Sequence, residues 1–229
     1  MAPSTDAVEH LLREGIEARR IQFVGNVMVD ALVRMLPRAR ARASNWVGTR
    51  ALWWGRQVDR FALATFHRPG NVDNPETLGE IAAALTELSR DGLPVILPLH
   101  PRTVERVGYH GIRFGHRVSI LPPLGYLDFL ALMDTAVVVL TDSGGIQEET
   151  TYLGVPCVTV RPNTERPVTV TEGTNRLSHA TREAIVAATR IALKERRRPL
   201  TIPALWDGRA SGRIVAVLKA VDRPRKGEN

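Results

Sequence analysis

The stretch from Ala136 to Arg166 reads AVVVLTDSGGIQEETTYLGVPCVTVRPNTER. Ala136 to Leu140 is a short apolar run bounded by Thr141-Asp142, the pattern of a buried parallel strand. Ser143-Gly144-Gly145 follows at once, and Ile146 to Leu153 predicts a helix stopped by Gly154. Strand, small-residue turn and helix N-terminus form an arrangement that holds a phosphate. The first N–H groups of a helix lack internal partners, and the helix dipole favours an anion there. Glycines at such a turn let these donors approach an oxygen with no Cβ in the way. Glu148 and Glu149 lie one turn further in, where a helix aims one carboxylate at solvent or a ligand. A second strand, Pro156 to Val160, leads to Arg161 and the loop from Pro162 to Pro167.

Outward from this unit the pattern repeats. Phe61 to Phe66, Leu93 to Leu99 and Val118 to Leu121 are strand-like runs. Helical patterns cover Glu76 to Ser89, a short segment through Val107, and Tyr126 to Met133, with Thr181 to Lys194 and Ser211 to Val221 after the central unit. Toward the N-terminus, Ala7 to Gly15 is a helical pattern. Ile21 to Asn26 is a short strand running into a helix, Val27 to Leu36, and Arg38 to Arg42 is a charged continuation or linker. Ser44 to Arg56, with Trp46, Trp53 and Trp54, has no clear pattern, and its tryptophans suit core or interface anchors. After Pro167 the chain is irregular as far as Asn175. Strands alternating with helices over short connections specify an α/β fold, a doubly wound parallel sheet of Rossmann-like type. The expected division is an N-terminal helical and crossing segment with a first strand and helix (1–42), a Trp-rich insert (43–58), a Rossmann-like domain (59–200), and a C-terminal helix with a basic tail (201–229).

Composition sets limits on this reading. The 229 residues are 44% hydrophobic, ordinary for a globular chain, and no apolar run reaches the length of a membrane span. The net charge of +7 comes from scattered arginines, the Lys194–Arg198 cluster and the tail Arg223-Pro224-Arg225-Lys226. With aromatics at 5% and no nucleic-acid signature, solvated helix faces rank ahead of an anionic ligand, and nucleic acid comes last. The N-terminus lacks the regions of a signal peptide, and the single Cys157 sits inside an apolar run, so a core residue in the cytoplasm is expected. Zinc-ligand spacings, Walker and dinucleotide glycine patterns and a G-x-S-x-G elbow are missing.

Three expected strand ends carry suspicious groups: His67-Arg68, His100-Pro101-Arg102 and Asp142-Ser143-Gly144-Gly145. Each alone suits a structural hydrogen bonder. Together on one sheet edge they predict an anion-binding cleft, with a helix carboxylate available to a ribose diol.

These residues also carry a resemblance. DSGGIQEE at Asp142–Glu149, Leu153-Gly154-Val155-Pro156, Thr164-Glu165-Arg166-Pro167, His67-Arg68, His100-Pro101, the Glu14-Gly15 and Gly25-Asn26 segment with Asp30, and Pro123 to Phe129 are similar to the non-hydrolysing UDP-N-acetylglucosamine 2-epimerase family. The resemblance implies one half of a GT-B-like two-domain fold with UDP-GlcNAc or UDP in the cleft. Ser143, Gly144 and Gly145 are then expected at the diphosphate, Glu149 at the ribose and Phe129 near uracil. Arg166 is expected in a closing loop, with His67 as the catalytic residue and Arg68 and His100 in additional or regulatory roles. No metal and no cofactor are implied. The implied reaction eliminates UDP to 2-acetamidoglucal and adds it back, giving UDP-ManNAc. An N-terminal half, missing or separately encoded and then a partner chain, is expected to supply the groups that move the C2 proton, and a homodimer is expected. Two departures stand out: His67-Arg68-Pro69-Gly70-Asn71 replaces the usual His-Arg-Arg-Glu-Asn, and Val168 replaces a glutamate after Arg166-Pro167. The readings beside this one are a non-catalytic UDP-sugar-binding module and the donor half of a glycosyltransferase.

Overall fold

The structure is a computed structural model that describes residues 1–54, 60–195 and 201–221, without side chains over 43–54. In chain order the helices and strands are α1 (Thr5–Arg13), α2 (Val27–Trp54), β1 (Ala62–Thr65), α3 (Pro69–Val72), α4 (Pro75–Arg90), β2 (Val95–Pro98), α5 (Pro101–Tyr109), β3 (Val118–Leu121), α6 (Tyr126–Thr135), β4 (Val138–Thr141), α7 (Gly144–Leu153), β5 (Cys157–Val160), α8 (Pro167–Thr171), β6 (Asn175–Ser178), α9 (Arg182–Glu195) and α10 (Ala210–Val221). The strands form a six-stranded sheet in the order β3-β2-β1-β4-β5-β6, and every pairing is parallel. The chain winds outward from β1 through β2 to β3, then returns to lay β4 on the other side of β1. This is the doubly wound arrangement, and the expected fold class holds.

Period-two alternation divides the sheet between two cores. Ala62 and Ala64 of β1, Val95 and Leu97 of β2, and Val138 and Leu140 of β4 pack with Leu78, Ile81 and Leu85 of α4 and with Ile185 of α9. Leu63, Ile96 and Val139, the residues between, face Leu32 of α2 and Leu130 to Met133 of α6 on the other side. Cys157 is buried within β5, and burial pushes its thiol up to about 11, consistent with an inert core residue. Among the described residues no helix is long and apolar enough to cross a membrane.

Local signals set the helix ends. Asn74 caps α4 by accepting from the N–H groups of Glu76 and Thr77, with Pro75 at the first helical position. Gly154 ends α7 in the left-handed region at φ 70°, where a Cβ is penalised.

Three expectations change. The helix expected to end at Leu36 runs through Pro37 to Trp54, so the arginine run is helix and α2 crosses the expected division at 42/43. Contacts on both sides of the proline hold it: Leu32 and Ala39 are buried, Arg40 donates from Nε to Asp134 Oδ2 at 2.8 Å, and Arg42 from Nη1 to Asp128 Oδ2 at 3.2 Å. The side chains of Trp46, Trp53 and Trp54 lie outside the described residues. Ile21 to Asn26 is not a sheet strand; Phe23 makes only an isolated parallel bridge with Ala2. Conversely, the irregular stretch after Pro167 contains α8 and the edge strand β6. Its sequence, Asn175-Arg176-Leu177-Ser178, has no apolar run because an edge strand needs less burial.

The arginines whose partners are described mostly make exposed ion pairs, such as Arg13–Glu9 and Arg19–Glu17, as solvated helix faces do. Arg196 to Arg198 and the basic tail lie outside the described residues.

Candidate active site

In an open parallel sheet the ligand crevice opens beyond the carboxyl ends of the strands, where the winding reverses. Here that point lies between β1 and β4. The ends of these strands are joined by Asp142, which the sequence named only as part of a strand-end group, with no role of its own. Its side chain is fully buried. It accepts from the backbone N–H of His67 at 3.1 Å, from that of Arg68 at 3.0 Å and from Asn71 Nδ2 at 3.1 Å, and His67 Nδ1 lies 3.1 Å from its Oδ1. Burial pushes Asp142 up, but the His67 ring, the Arg68 N–H and Asn71 outweigh it and hold the carboxyl below its usual range. The hydrogen bond to Asp142 in turn raises His67, against burial and the neighbouring Arg68. With Nδ1 committed to a carboxylate, the other ring nitrogen, Nε2, is left to act on a ligand.

The His-Arg-Pro-Gly-Asn departure becomes legible here. Pro69 opens the one-turn helix α3, and Asn71 uses its amide to bind both Asp142 and the carbonyl of Val160, at 3.0 Å. The asparagine thus ties β1 to β4 and β5. His100, at the end of β2, sits with its ring centroid 6.0 Å from that of His67, and its Nδ1 accepts from Arg102 N as the cap of α5. It has a structural task beside any ligand role.

Across the crevice α7 begins at Gly144. Ser143 is its N-cap residue, yet its side chain makes no capping bond; its own N–H donates to Thr141 Oγ1 at 3.0 Å. The helix N-terminus is thus left to an external acceptor. A Cβ at Gly145 would meet nothing within 4 Å, and one at Gly144 only the Arg166 guanidinium, at 4.0 Å. The fold itself therefore has room for side chains here, and glycine leaves that room to a ligand.

The two carboxylates of α7 are both buried. Glu149 accepts from the Tyr126 hydroxyl at 2.8 Å, and burial pushes its carboxyl up. Glu148 turns to the other side and meets Arg166 Nε at 2.9 Å; burial pushes it up while Arg166 and Asn26 oppose the shift. Phe129 lies on α6, half-buried against the core behind the sheet, one turn from Tyr126. Tyr126 was named in the sequence only as part of a helix, although its spacing of three from Phe129 puts the two on one face.

The loop carrying Arg166 is built on buried polar contacts. Thr164 Oγ1 donates to Gln147 Oε1 at 2.6 Å, and Arg166 N donates back to Thr164 Oγ1 at 2.9 Å. Asn175 Nδ2 donates to the same Gln147 oxygen and to Thr169 Oγ1, while Thr159 Oγ1 donates to Asn175 Oδ1 at 2.7 Å. This network locks α7, β5, β6 and α8 together. Glu165 pairs with Arg161, which holds its carboxyl down at about 2, and it lies 3.9 Å from Arg68. His67, Arg68, His100, Ser143, Gly144, Gly145 and Arg166 thus lie at neighbouring strand ends, the N-terminus of α7 and the loop beside it, with Glu149 facing Tyr126 of α6 and Phe129 on the same helix.

Comparison with known proteins agrees with this geometry. Residues 1–219 match the family model described as UDP-N-acetylglucosamine 2-epimerase. A UDP-N-acetylglucosamine 2-epimerase of Methanocaldococcus jannaschii is 38% identical over 95% of this chain and 59% of its own. A UDP-2,3-diacetamido-2,3-dideoxy-D-glucuronate 2-epimerase of Pseudomonas aeruginosa is 39% identical over 83% of this chain and 51% of its own. The crystal structure of the M. jannaschii UDP-GlcNAc 2-epimerase in complex with UDP-GlcNAc and UDP superposes with a TM-score of 0.79 at 38% identity, covering 96% of this chain and 60% of that one. The chain therefore spans between about half and three fifths of the length of these relatives. A parallel sheet reversing at β1 and β4, a glycine turn at the reversal and the family match over nearly the entire chain converge: this protein belongs to the UDP-N-acetylglucosamine 2-epimerase family.

Proposed function

We propose that the chain holds the UDP part of a UDP-linked 2-acetamido sugar and supports its 2-epimerisation, with UDP-GlcNAc as the substrate and UDP-ManNAc as the product. The observation that carries this reading is the juxtaposition at the sheet reversal: a histidine fixed by a buried carboxylate faces an uncapped helix N-terminus whose glycines leave open space. In this reading the diphosphate lies on the N–H groups after Ser143, across Gly144 and Gly145, with Arg166 beside it. Glu149, held by Tyr126, takes the ribose hydroxyls, and Phe129 lies toward the uracil.

The step asked of these groups is departure of a charged leaving group. As the C2 proton is removed, the C1–O bond breaks, C1=C2 forms and the electron pair leaves with UDP. In this reading N–H donors, Arg166, Arg68 and the His67 imidazolium stabilise the diphosphate, and His67 Nε2 gives it a proton. Return of UDP to C1 with a proton delivered to the opposite face of C2 completes the inversion. The crevice described holds the leaving group; groups acting at C2 belong, in this reading, to an N-terminal half of the fold. A homodimer working in the cytoplasm belongs to the same reading.

Incubating the chain with UDP-GlcNAc in deuterium oxide tests it. Deuterium entering C2 with UDP-ManNAc formed, with the chain alone or with an added N-terminal half, is the expected result. UDP binding without exchange in either case leaves a binding module, and transfer only to an added acceptor points to a glycosyltransferase half.

A further inference from the structure

Ala2 and Pro3 are each held by a distant part of the chain. Ala2 is fully buried; its N–H donates to the Gln22 carbonyl at 2.8 Å, and its carbonyl accepts from Val24 N at 3.1 Å. The Pro3 carbonyl accepts from Trp206 Nε1 at 3.0 Å. Ser4 is buried, and its carbonyl accepts from Val8 N at 3.2 Å as α1 begins. α1 therefore starts from a fixed point, and it reaches both ends of α8. Asp6 Oδ2 accepts from Val168 N at 3.3 Å, and Thr5 Oγ1 donates to Glu172 Oε1 at 3.5 Å. Resting on the UDP reading above, we propose that Asp6 is a positioning residue: it caps α8 from α1 and thereby sets Arg166 beside the diphosphate.

Backbone accounting gives Asp6 this task. α8 opens immediately after Arg166, which stands at its N-cap position with no side-chain capping bond. Of the residues that open the helix, Pro167 has no N–H, and Thr169 N donates to the Arg166 carbonyl at 3.0 Å. Val168 N is the donor left over, and Val168 brings no polar side chain of its own. An orphan donor at a helix start is ordinarily met by the N-cap side chain. Here Asp6 meets it from another helix. The other oxygen of Asp6, Oδ1, is buried and has no hydrogen-bond partner among the described residues, so Val168 N is the donor this carboxylate serves.

Arg166 needs such support because its own head is weakly directed. Its Nε is buried and lies 2.9 Å from Glu148 Oε1, yet without the geometry of a hydrogen bond. Its Nη1 donates to the carbonyl of the neighbouring Glu165, at 3.3 Å. Backbone position therefore decides where the guanidinium stands, and it stands 4.0 Å from where a Cβ of Gly144 would be, at the start of α7. On the upstream side, Thr164 is bound to Gln147 and accepts from Arg166 N. On the downstream side, the Arg166 carbonyl accepts from Thr169 N and from Thr169 Oγ1. Asn175 holds Thr169 from within the Gln147 network, and Asp6 holds the first turn of α8 from outside it. Arg166 is thus clamped between two supports, and α1 carries one of them.

Calorimetric titration with UDP tests this on the full chain, on Asp6→Ala, Asp6→Asn and Arg166→Ala, and on the double variant Asp6→Ala/Arg166→Ala. α1 has no buried residue and alanine suits a helix, so Asp6→Ala is expected to keep the parent's circular dichroism. Arg166→Ala is expected to lose about tenfold in UDP affinity, and Asp6→Ala about fivefold, as for a lost cap. Asp6→Asn keeps an acceptor oxygen for Val168 N and is expected to stay within about twofold of the parent. In the Arg166→Ala background, Asp6→Ala is expected to change UDP affinity by less than about twofold, a result that general loosening of the fold would not give. Parent-like affinity in Asp6→Ala, an equal loss in both backgrounds, or an asparagine variant as weak as the alanine one overturns the inference and leaves the UDP site standing. An Arg166→Ala chain that binds UDP as the parent does removes Arg166 from the diphosphate, and this inference with it. Failure of the parent to bind UDP overturns the UDP reading itself.

Discussion

At the scale of residues, the site turns on Asp142. A buried carboxylate accepting from two backbone N–H groups, an amide and an imidazole is a hub whose loss leaves several donors unmatched. Asp142→Asn is expected to destabilise the chain by about 1–3 kcal/mol in urea unfolding, because an amide presents a donor to donors. The pH dependence has a definite sign. His67 is raised from 6.5, so its contribution is full below that value and is lost as pH rises through the folded value. Asp142 is lowered from 3.8, so its contribution holds above that value and is lost as pH falls through the folded one. Stability from the pair is therefore greatest between the two, and Asp142→Asn should flatten that maximum and lower the His67 pKa read by NMR. Tyr126 makes a finer prediction. Removing its hydroxyl in Tyr126→Phe frees Glu149, so discrimination between UDP and 2′-deoxy-UDP should shrink about fivefold, as for one modest hydrogen bond. Unchanged discrimination would separate Glu149 from the ribose. His67, Ser143 and the glycines were legible in the sequence because each sits at a strand end or a turn. Asp142 was legible only as one member of a strand-end group and Tyr126 only as part of a helix, because a partner 75 positions away, or on another helix, leaves no local pattern.

Elements follow the same division between local and distant causes. Strands β1, β2, β4 and β5 are buried, with apolar runs that mark them. β6 is an edge strand of largely polar sequence, held by pairing with β5 and by Asn175, and nothing short of the fold reveals it. α2 passes Pro37 for a similar reason: packing on α6 through Leu32 and Ala39 outweighs a local break signal. These causes can be weighed against each other. Asn175→Ala removes a buried amide from the network that fixes the Arg166 loop and should cost about 1–3 kcal/mol by denaturant unfolding. Arg40→Ala removes an exposed pair with Asp134 and should cost about 0–1 kcal/mol. An ordering the other way would mean that α2 docks through its charges, and that the Gln147–Asn175 network carries little.

For the molecule as a unit, two cores on either side of one sheet make a rigid support, and the winding reverses where β1 and β4 end. The alternation of strands and helices made this architecture readable at the start. The family resemblance then turned a generic anion cleft into an expected UDP site. What only the structure supplies is the direction of each wall: Glu149 toward α6, Glu148 toward the Arg166 loop, and open space above Gly145. That open space gives the most direct test of the central claim that UDP lies on the N-terminus of α7. A Cβ at position 145 meets nothing within 4 Å, so Gly145→Val is expected to unfold like the parent. Calorimetric titration with UDP should then show affinity reduced by at least about tenfold, because the side chain occupies the phosphate position. A folded Gly145→Val chain that binds UDP as the parent does would contradict the account.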